Sequence, residues 1–200
     1  MNIFWYSVFF LVLIWSGINP ADLYTWILEV MPALIAVVVL FFTRKNFPLT
    51  PLVYFLILIH CIILMIGGHY TYAEVPLFNT LSEAMGWQRN QYDKLGHFAQ
   101  GFVPAMVARE VLLRLQVVNG QRWLFFIIIS ICLAISAFYE LVEWWVALLS
   151  EKAAESFLGT QGYVWDTQSD MAMAIIGAVT ALILLRRVHD KQLEAFAKLM

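Results

Sequence analysis

Residues 123–148 read WLFFIIISICLAISAFYELVEWWVAL, and this stretch decides the fold. It is almost wholly apolar, and its only charged residues are Glu140 and Glu143 near its close. A hydrocarbon core of roughly 30 Å takes about 20 mostly apolar helical residues to cross, so the run is long enough to span a membrane. Working outward from it, further apolar runs cover 2–17, 23–42, 49–66, 95–116 and 169–187. The first of these is the shortest, and Arg109 with Glu110 interrupts 95–116. The chain is 62% hydrophobic and 13% charged, which excludes an ordinary water-soluble domain. The runs predict an all-α integral membrane protein, a six-transmembrane-helix bundle that forms one domain over 1–200.

Basic residues set the orientation. Arg44 and Lys45 follow the second span, Arg114 and Arg122 join the fourth to the fifth, and Arg186, Arg187, Lys191 and Lys198 occupy the tail. Arg109 reads as a side chain snorkelling to that same side. Only Arg89, Lys94 and Lys152 fall on the other. Both termini are therefore expected in the cytoplasm. No Lys or Arg precedes the first run and no small-residue cleavage site follows it, so it reads as a retained span and not as a secretory leader. Cys61 and Cys132 lie inside spans and read as small packing residues, not as a disulfide. The basic residues mark a membrane face, which argues against nucleic acid as a partner. No Gly-rich phosphate loop points to a nucleotide.

The two long connections, 67–94 and 151–168, both fall on the outer side. In the first, Leu77, Phe78, Leu81, Ala84 and Met85 share one face of a short helix that suits the membrane interface. Tyr70, Tyr72, Trp87, Tyr92, Tyr163 and Trp165 suit the aromatic belt. Spans four and six are built differently from the rest. Gly96, Gly101, Pro104, Ala105 and Ala108 line one; Ala172, Ala174, Gly177, Ala178 and Ala181 line the other. Small residues let helices approach closely in lipid. These two are expected inside, ringed by spans one, two and three, with Pro104 bending span four.

Three pairs of ionisable residues recur at helical spacing: Asp93/His97, Glu140/Glu143 and Asp166/Asp170. Residues three or four apart share a helix face. At ~1.5 Å per residue, Glu140 and Glu143 lie near the outer end of their span. Asp93, His97, Asp166 and Asp170 lie where spans four and six enter from outside, with His69 and Glu29 at a similar depth. The expectation is one outward-facing polar pocket. Asp93, His97, Glu140, Glu143 and Asp170 are its candidate catalytic residues. His69, His97, Glu140, Asp166 and Asp170 are candidate ligands for a divalent ion such as Zn²⁺, Mn²⁺ or Mg²⁺. Asp93 and Asp166 also read as first-turn acids complementing a helix dipole, Glu143 as a solvated headgroup-level residue, and His60 as a core histidine near the midplane.

The strings Gly67-Gly68-His69-Tyr70-Thr71-Tyr72, Tyr92-Asp93-Lys94-Leu95-Gly96-His97-Phe98, Tyr139-Glu140-Leu141-Val142-Glu143-Trp144-Trp145 and Gly162-Tyr163-Val164-Trp165-Asp166, with Asp166-Thr167-Gln168-Ser169-Asp170-Met171, resemble the YjdF family of bacterial inner-membrane proteins over essentially the whole chain. That resemblance implies a multi-pass inner-membrane location. Spans four to six are more distantly similar to VanZ-like membrane proteins, through Asp93, Lys94, His97 and Phe98, then Glu140 or Glu143, then Asp170 and Gly177. The chain departs from that pattern at Trp144-Trp145, Trp165-Asp166 and Ala174. The VanZ-like resemblance implies cell-envelope or lipid chemistry. Together these readings lead to a divalent-metal-dependent activity on a lipid or lipid-linked phosphate, with membrane lipids as partners. A small proton, ion or solute carrier and a non-catalytic envelope-interaction protein stand as alternatives, so enzyme status is open at this point.

Overall fold

The computed structural model describes residues 3–149 and 161–198. The stretch 150–160, with Lys152 and Gly159 of the second outer connection, lies outside the described residues, as do 1–2 and 199–200. The described residues form eight helices: α1 (Ile3–Ser16), α2 (Leu23–Thr43), α3 (Pro51–Tyr70), α4 (Pro76–Met85), α5 (Tyr92–Arg114), α6 (Gln121–Leu149), α7 (Asp166–Leu184) and α8 (Arg186–Ala197). No strand occurs among them.

Local chemistry sets the helix ends. The Asp22 carboxylate caps α2 by accepting from the Thr25 N–H at 2.8 Å, which satisfies a donor that the first turn otherwise leaves open. Pro51 and Pro76 begin α3 and α4, where the missing N–H costs nothing. Gly86 closes α4 in the left-handed region at φ 68°. Thr71 and Tyr72 also adopt left-handed φ, 57° and 56°. That costly turn folds the Tyr72 ring back onto Gly67 and Gly96, where a Cβ on either glycine would overlap it.

Four helices, α2, α3, α6 and α7, are long and apolar enough to cross a membrane. The 14-residue α1 is shorter, and the 23-residue α5 carries Asp93, Lys94, Arg109, Glu110 and Arg114. The all-helical membrane class therefore stands. The helix expected at the interface is α4, with Leu77, Leu81 and Met85 exposed and Phe78 edge-on to Tyr92 at 5.1 Å.

Packing orders the helices in layers. α1 and α2 each lie on α3, α3 lies on α5, and α5, α6 and α7 pack on one another. The closest pair is α5 with α7. A Cβ on Gly101 would overlap the Ala174 carbonyl, and one on Gly177 would overlap the Phe98 carbonyl. Lipid tails supply no hydrophobic drive between helices, so such backbone approach is what holds them. The expected ring needs correcting at α3, which is an inner helix: Val53, Cys61, Met65, Gly67 and Gly68 are buried along it. α5 continues past Pro104 as one helix. Cys61 and Cys132 are buried and free.

The tail is also corrected. The last span closes at Leu184, and α8 follows as a separate helix that returns to the bundle. Arg109 does not snorkel. It is 3% exposed and donates to His189 Nδ1 at 2.8 Å and to Asp190 Oδ1 at 2.5 Å. A guanidinium needs acceptors wherever water is absent, and α8 brings them.

Candidate functional site

The first turns of α5 and α7 start side by side, so their acids face one another. Asp93 and Lys94 open α5, with His97 one turn further in; Asp166 and Asp170 occupy successive turns of α7. The Lys94 ammonium lies between the two α7 acids, 2.5 Å from Asp170 Oδ1 and 2.8 Å from Asp166 Oδ1. Arg89, just before α5, reaches Asp166 Oδ1 at 2.6 Å and Asp93 Oδ2 at 3.6 Å. The Tyr163 ring lies 5.2 Å from the Arg89 guanidinium and 5.8 Å from the Lys94 ammonium.

His97 is the centre of the cluster. Its Nε2 faces Asp93 Oδ1 at 3.4 Å, Glu140 Oε1 at 3.8 Å and Asp170 Oδ1 at 4.0 Å. Its Nδ1 donates to Gln100 Oε1 at 3.2 Å, one turn along the same helix. That bond places the proton of a neutral imidazole on Nδ1 and leaves a lone pair on Nε2. The lone pair then points at carboxylate oxygens from three helices, an arrangement that is repulsive unless a proton or a cation stands between them. Glu140 Oε1 is buried and has no hydrogen-bond donor among the described residues. Four acids, Asp93, Glu140, Asp166 and Asp170, face two cations, Arg89 and Lys94. With His97 neutral, two negative charges are left over.

Asp93, His97 and Asp170 can each present one ligand atom with all three within 4.8 Å of one another. Four donors held around a small divalent ion at about 2.0–2.1 Å would stand roughly 3.3–3.4 Å apart. The spacings from Nε2 run from 3.4 to 4.0 Å, starting at that value.

Behind this cluster lies a second layer. Glu29 of α2 is buried and accepts from the Tyr139 hydroxyl at 2.8 Å, and the Tyr139 ring lies edge-on to His97 at 6.2 Å. Glu143, one turn beyond Glu140, is buried at 8% exposure and is not the wet headgroup residue that its place beside Trp144-Trp145 suggested. Burial first, then the Glu29 carboxylate, pushes the Tyr72 phenol well above its ordinary value. Tyr72 is therefore a neutral donor at the rim.

Five of the expected positions converge: Asp93, His97, Glu140, Asp166 and Asp170. His69 does not join them. Its Nδ1 donates to the Ser16 carbonyl at 2.9 Å, with Trp15 packed 4.8 Å from its ring, so it ties α3 to the end of α1. His60 is only half-buried on α3. Sequence spacing did not single out Arg89, Gln100 or Tyr139. Gln100 lies three residues beyond His97 and Tyr139 is adjacent to Glu140, which are the signals that were available.

The segments leading into α5 and α7 brace the site. Asn90 and Gln161 exchange hydrogen bonds, Asn90 N–H to Gln161 Oε1 at 2.9 Å and Gln161 Nε2 to the Asn90 carbonyl at 3.1 Å. The Asn90 side chain donates to Asn79 Oδ1 at 2.6 Å and to the Val75 carbonyl at 3.1 Å. Arg89 is thereby fixed above the acids.

The family described as Predicted membrane protein (DUF2238) matches residues 1–191. The chain is 53% identical over 186 residues to Inner membrane protein YjdF of Escherichia coli (strain K12), which covers 93% of this chain and 89% of that one. No solved structure matches.

Proposed function

Since the chain belongs to the DUF2238 family of membrane proteins, and is itself a multi-pass inner-membrane protein, we propose that its His97-centred cluster is a divalent-cation site that hydrolyses a phosphate ester carried on an envelope lipid. The observation carrying this reading is the Nε2 of His97 facing carboxylate oxygens from three helices, one of them without any donor among the described residues. A divalent ion would cancel the two surplus charges and supply a water activated near neutral pH. Zn²⁺, Mn²⁺ and Mg²⁺ all suit a site of one imidazole nitrogen and several carboxylates.

The protein's own groups have separable tasks. Asp93, His97, Asp170 and Glu140 would hold the ion, with Gln100 fixing the imidazole tautomer. Through the oxygen not on the ion, Glu140 could accept a proton from water as the water oxygen bonds to phosphorus and the P–O bond to the lipid breaks, the departing lipid oxygen taking a proton from solvent. Arg89 and Lys94 can leave their acids for phosphate oxygens once the ion replaces their charge. In this reading six helices cross the membrane, α1, α2, α3, α5, α6 and α7, with both termini cytoplasmic and the site facing outward. The exposed Leu77, Leu81 and Met85 of α4 lie at lipid headgroup depth, where such a substrate is presented. A carrier is less well supported, because Gly101 against Ala174 and Gly177 against Phe98 fill the space through which a solute would continue.

Purified protein should hold about one equivalent of Zn, Mn or Mg by elemental analysis and release phosphate from an envelope lipid phosphate. His97→Ala and Asp170→Asn should each lose both properties while still expressing. Metal content and turnover unchanged in both variants would sink the single-site reading.

A further inference from the structure

Far from the acidic cluster, α1 and α2 leave a cleft between them. Each rests on α3 by its own contacts: Trp5 of α1 donates its indole N–H to the Tyr54 carbonyl at 2.8 Å, and Val30 of α2 lies on Gly68. The two helices are tied at one end, where Trp26 Nε1 donates to Ser16 Oγ at 3.1 Å. At the other end Arg44 Nη1 donates to the Tyr6 hydroxyl at 3.0 Å. Between the ties the cleft has a volume of about 440 Å³. Tyr6, Phe10, Val37, Val38 and Phe41 form its walls and Arg44 its polar mouth. Phe10, Val38 and Phe41 are about half exposed.

What fills the cleft is limited by size and charge. An empty apolar groove forfeits dispersion contacts along its whole lining, so something of the bilayer or a protein must occupy it. A helix with side chains is about 10 Å across, too wide for this volume, whereas a single acyl chain is thin enough. At the mouth, the Arg44 guanidinium lies 4.7 Å from the Phe41 ring and 5.9 Å from the Tyr6 ring. Those contacts hold it in place without neutralising it. Among the described residues no carboxylate pairs with it, and only one of its five N–H donors is taken by Tyr6. The neighbouring Lys45 is exposed, which adds a second positive charge at the same edge. An apolar slot ending in an unneutralised guanidinium matches a lipid with an acyl tail and a negative headgroup.

We propose that the cleft between α1 and α2 is a binding site for one anionic phospholipid, its acyl chain along Phe10, Val37, Val38 and Phe41 and its phosphate on Arg44. This site is independent of the acidic cluster and lies at the opposite end of the bundle.

Native mass spectrometry of the full-length protein in detergent, offered equal amounts of phosphatidylglycerol and phosphatidylcholine, tests it. The wild type should retain one phosphatidylglycerol, favoured about fivefold or more, since each basic residue at a membrane surface is worth about 1 kcal/mol toward anionic lipid. Arg44→Gln should abolish that preference, and Arg122→Gln, on the same side but away from the cleft, should leave it intact. Val38→Trp, which fills the slot at a half-exposed position, should reduce retention of both lipids. Equal retention of the two lipids by the wild type would overturn the proposal. So would a preference that survives Arg44→Gln or falls equally with Arg122→Gln, unchanged retention by Val38→Trp, or a lipid-free dimer in which a second copy covers the cleft.

Discussion

His97 and His189 lie at opposite ends of the bundle, and each meets a buried glutamate. At His189 every polar atom is matched. Nδ1 accepts from Arg109 at 2.8 Å and Nε2 donates to Glu110 Oε2 at 3.0 Å. Glu110, fully buried, also accepts from the Thr50 N–H at 2.9 Å, the Thr50 hydroxyl at 2.7 Å and Arg114 at 2.9 Å. At His97 the tautomer is reversed, Nε2 has no proton in the neutral form, and acids outnumber bases. A complete network in a low-dielectric interior fixes structure. An incomplete one, buried at similar depth, is held by the rest of the fold for a ligand or a proton to complete. This contrast separates a joint from a site more sharply than composition does, since both clusters are built from His, Glu, Asp, Arg or Lys.

The same substitution at the two glutamates should therefore have opposite effects, and the larger one is at the joint. Glu110→Gln removes the charge that holds Arg114, His189 and Thr50 together. Breaking a buried pair on one side costs about 3 kcal/mol or more. The thermal unfolding midpoint in detergent should fall by several degrees, and α8 should become sensitive to mild proteolysis. An unchanged midpoint would show that the Glu110 network contributes no more than a surface pair.

Next in size is Gly101→Val, placed between the two clusters. Its side chain would collide with the Ala174 carbonyl, and overpacking typically costs about 1–3 kcal/mol. Because α5 and α7 carry both ends, the variant should lower the midpoint and also weaken metal retention at Asp93, His97 and Asp170. Loss of stability with metal retention intact would mean that the His97 cluster assembles without close α5–α7 packing.

Sequence reading reached the helices and most of the acidic site for one physical reason. Both rest on local periodicity: an apolar run long enough for a membrane, and acids one turn apart on one face. It missed what depends on which helix faces which. Glu110 and Thr50 are 60 residues apart in sequence and Arg109 and His189 are 80 apart, so counting bases as topology markers left Arg109 reaching for water. The same blindness put His69 in the pocket, because depth along a span says nothing about rotation around it. Arg89 and Lys94 likewise read as outer-side charges until the α7 acids were seen to close on them. The amphipathic α8 was overlooked because a basic, polar tail after the last span satisfied the orientation rule without needing structure.

The smallest expected effect is also the most diagnostic. Glu140→Gln removes one of the surplus negative charges around His97 while keeping the side chain's shape. In metal-free buffer that relieves repulsion between like charges held close together, and its amide can donate to a neighbouring carboxylate. The variant should be more stable than the wild type by about 1 kcal/mol, a rise of roughly 2–4 °C in midpoint for a chain of this size. Adding Zn²⁺ or Mn²⁺ should then raise the midpoint of the wild type and leave the variant nearly unmoved, because a bound ion stabilises only the state that holds it. A variant that is destabilised without metal, as Glu110→Gln is expected to be, would show that Glu140 belongs to a completed network and that the His97 cluster is a second joint.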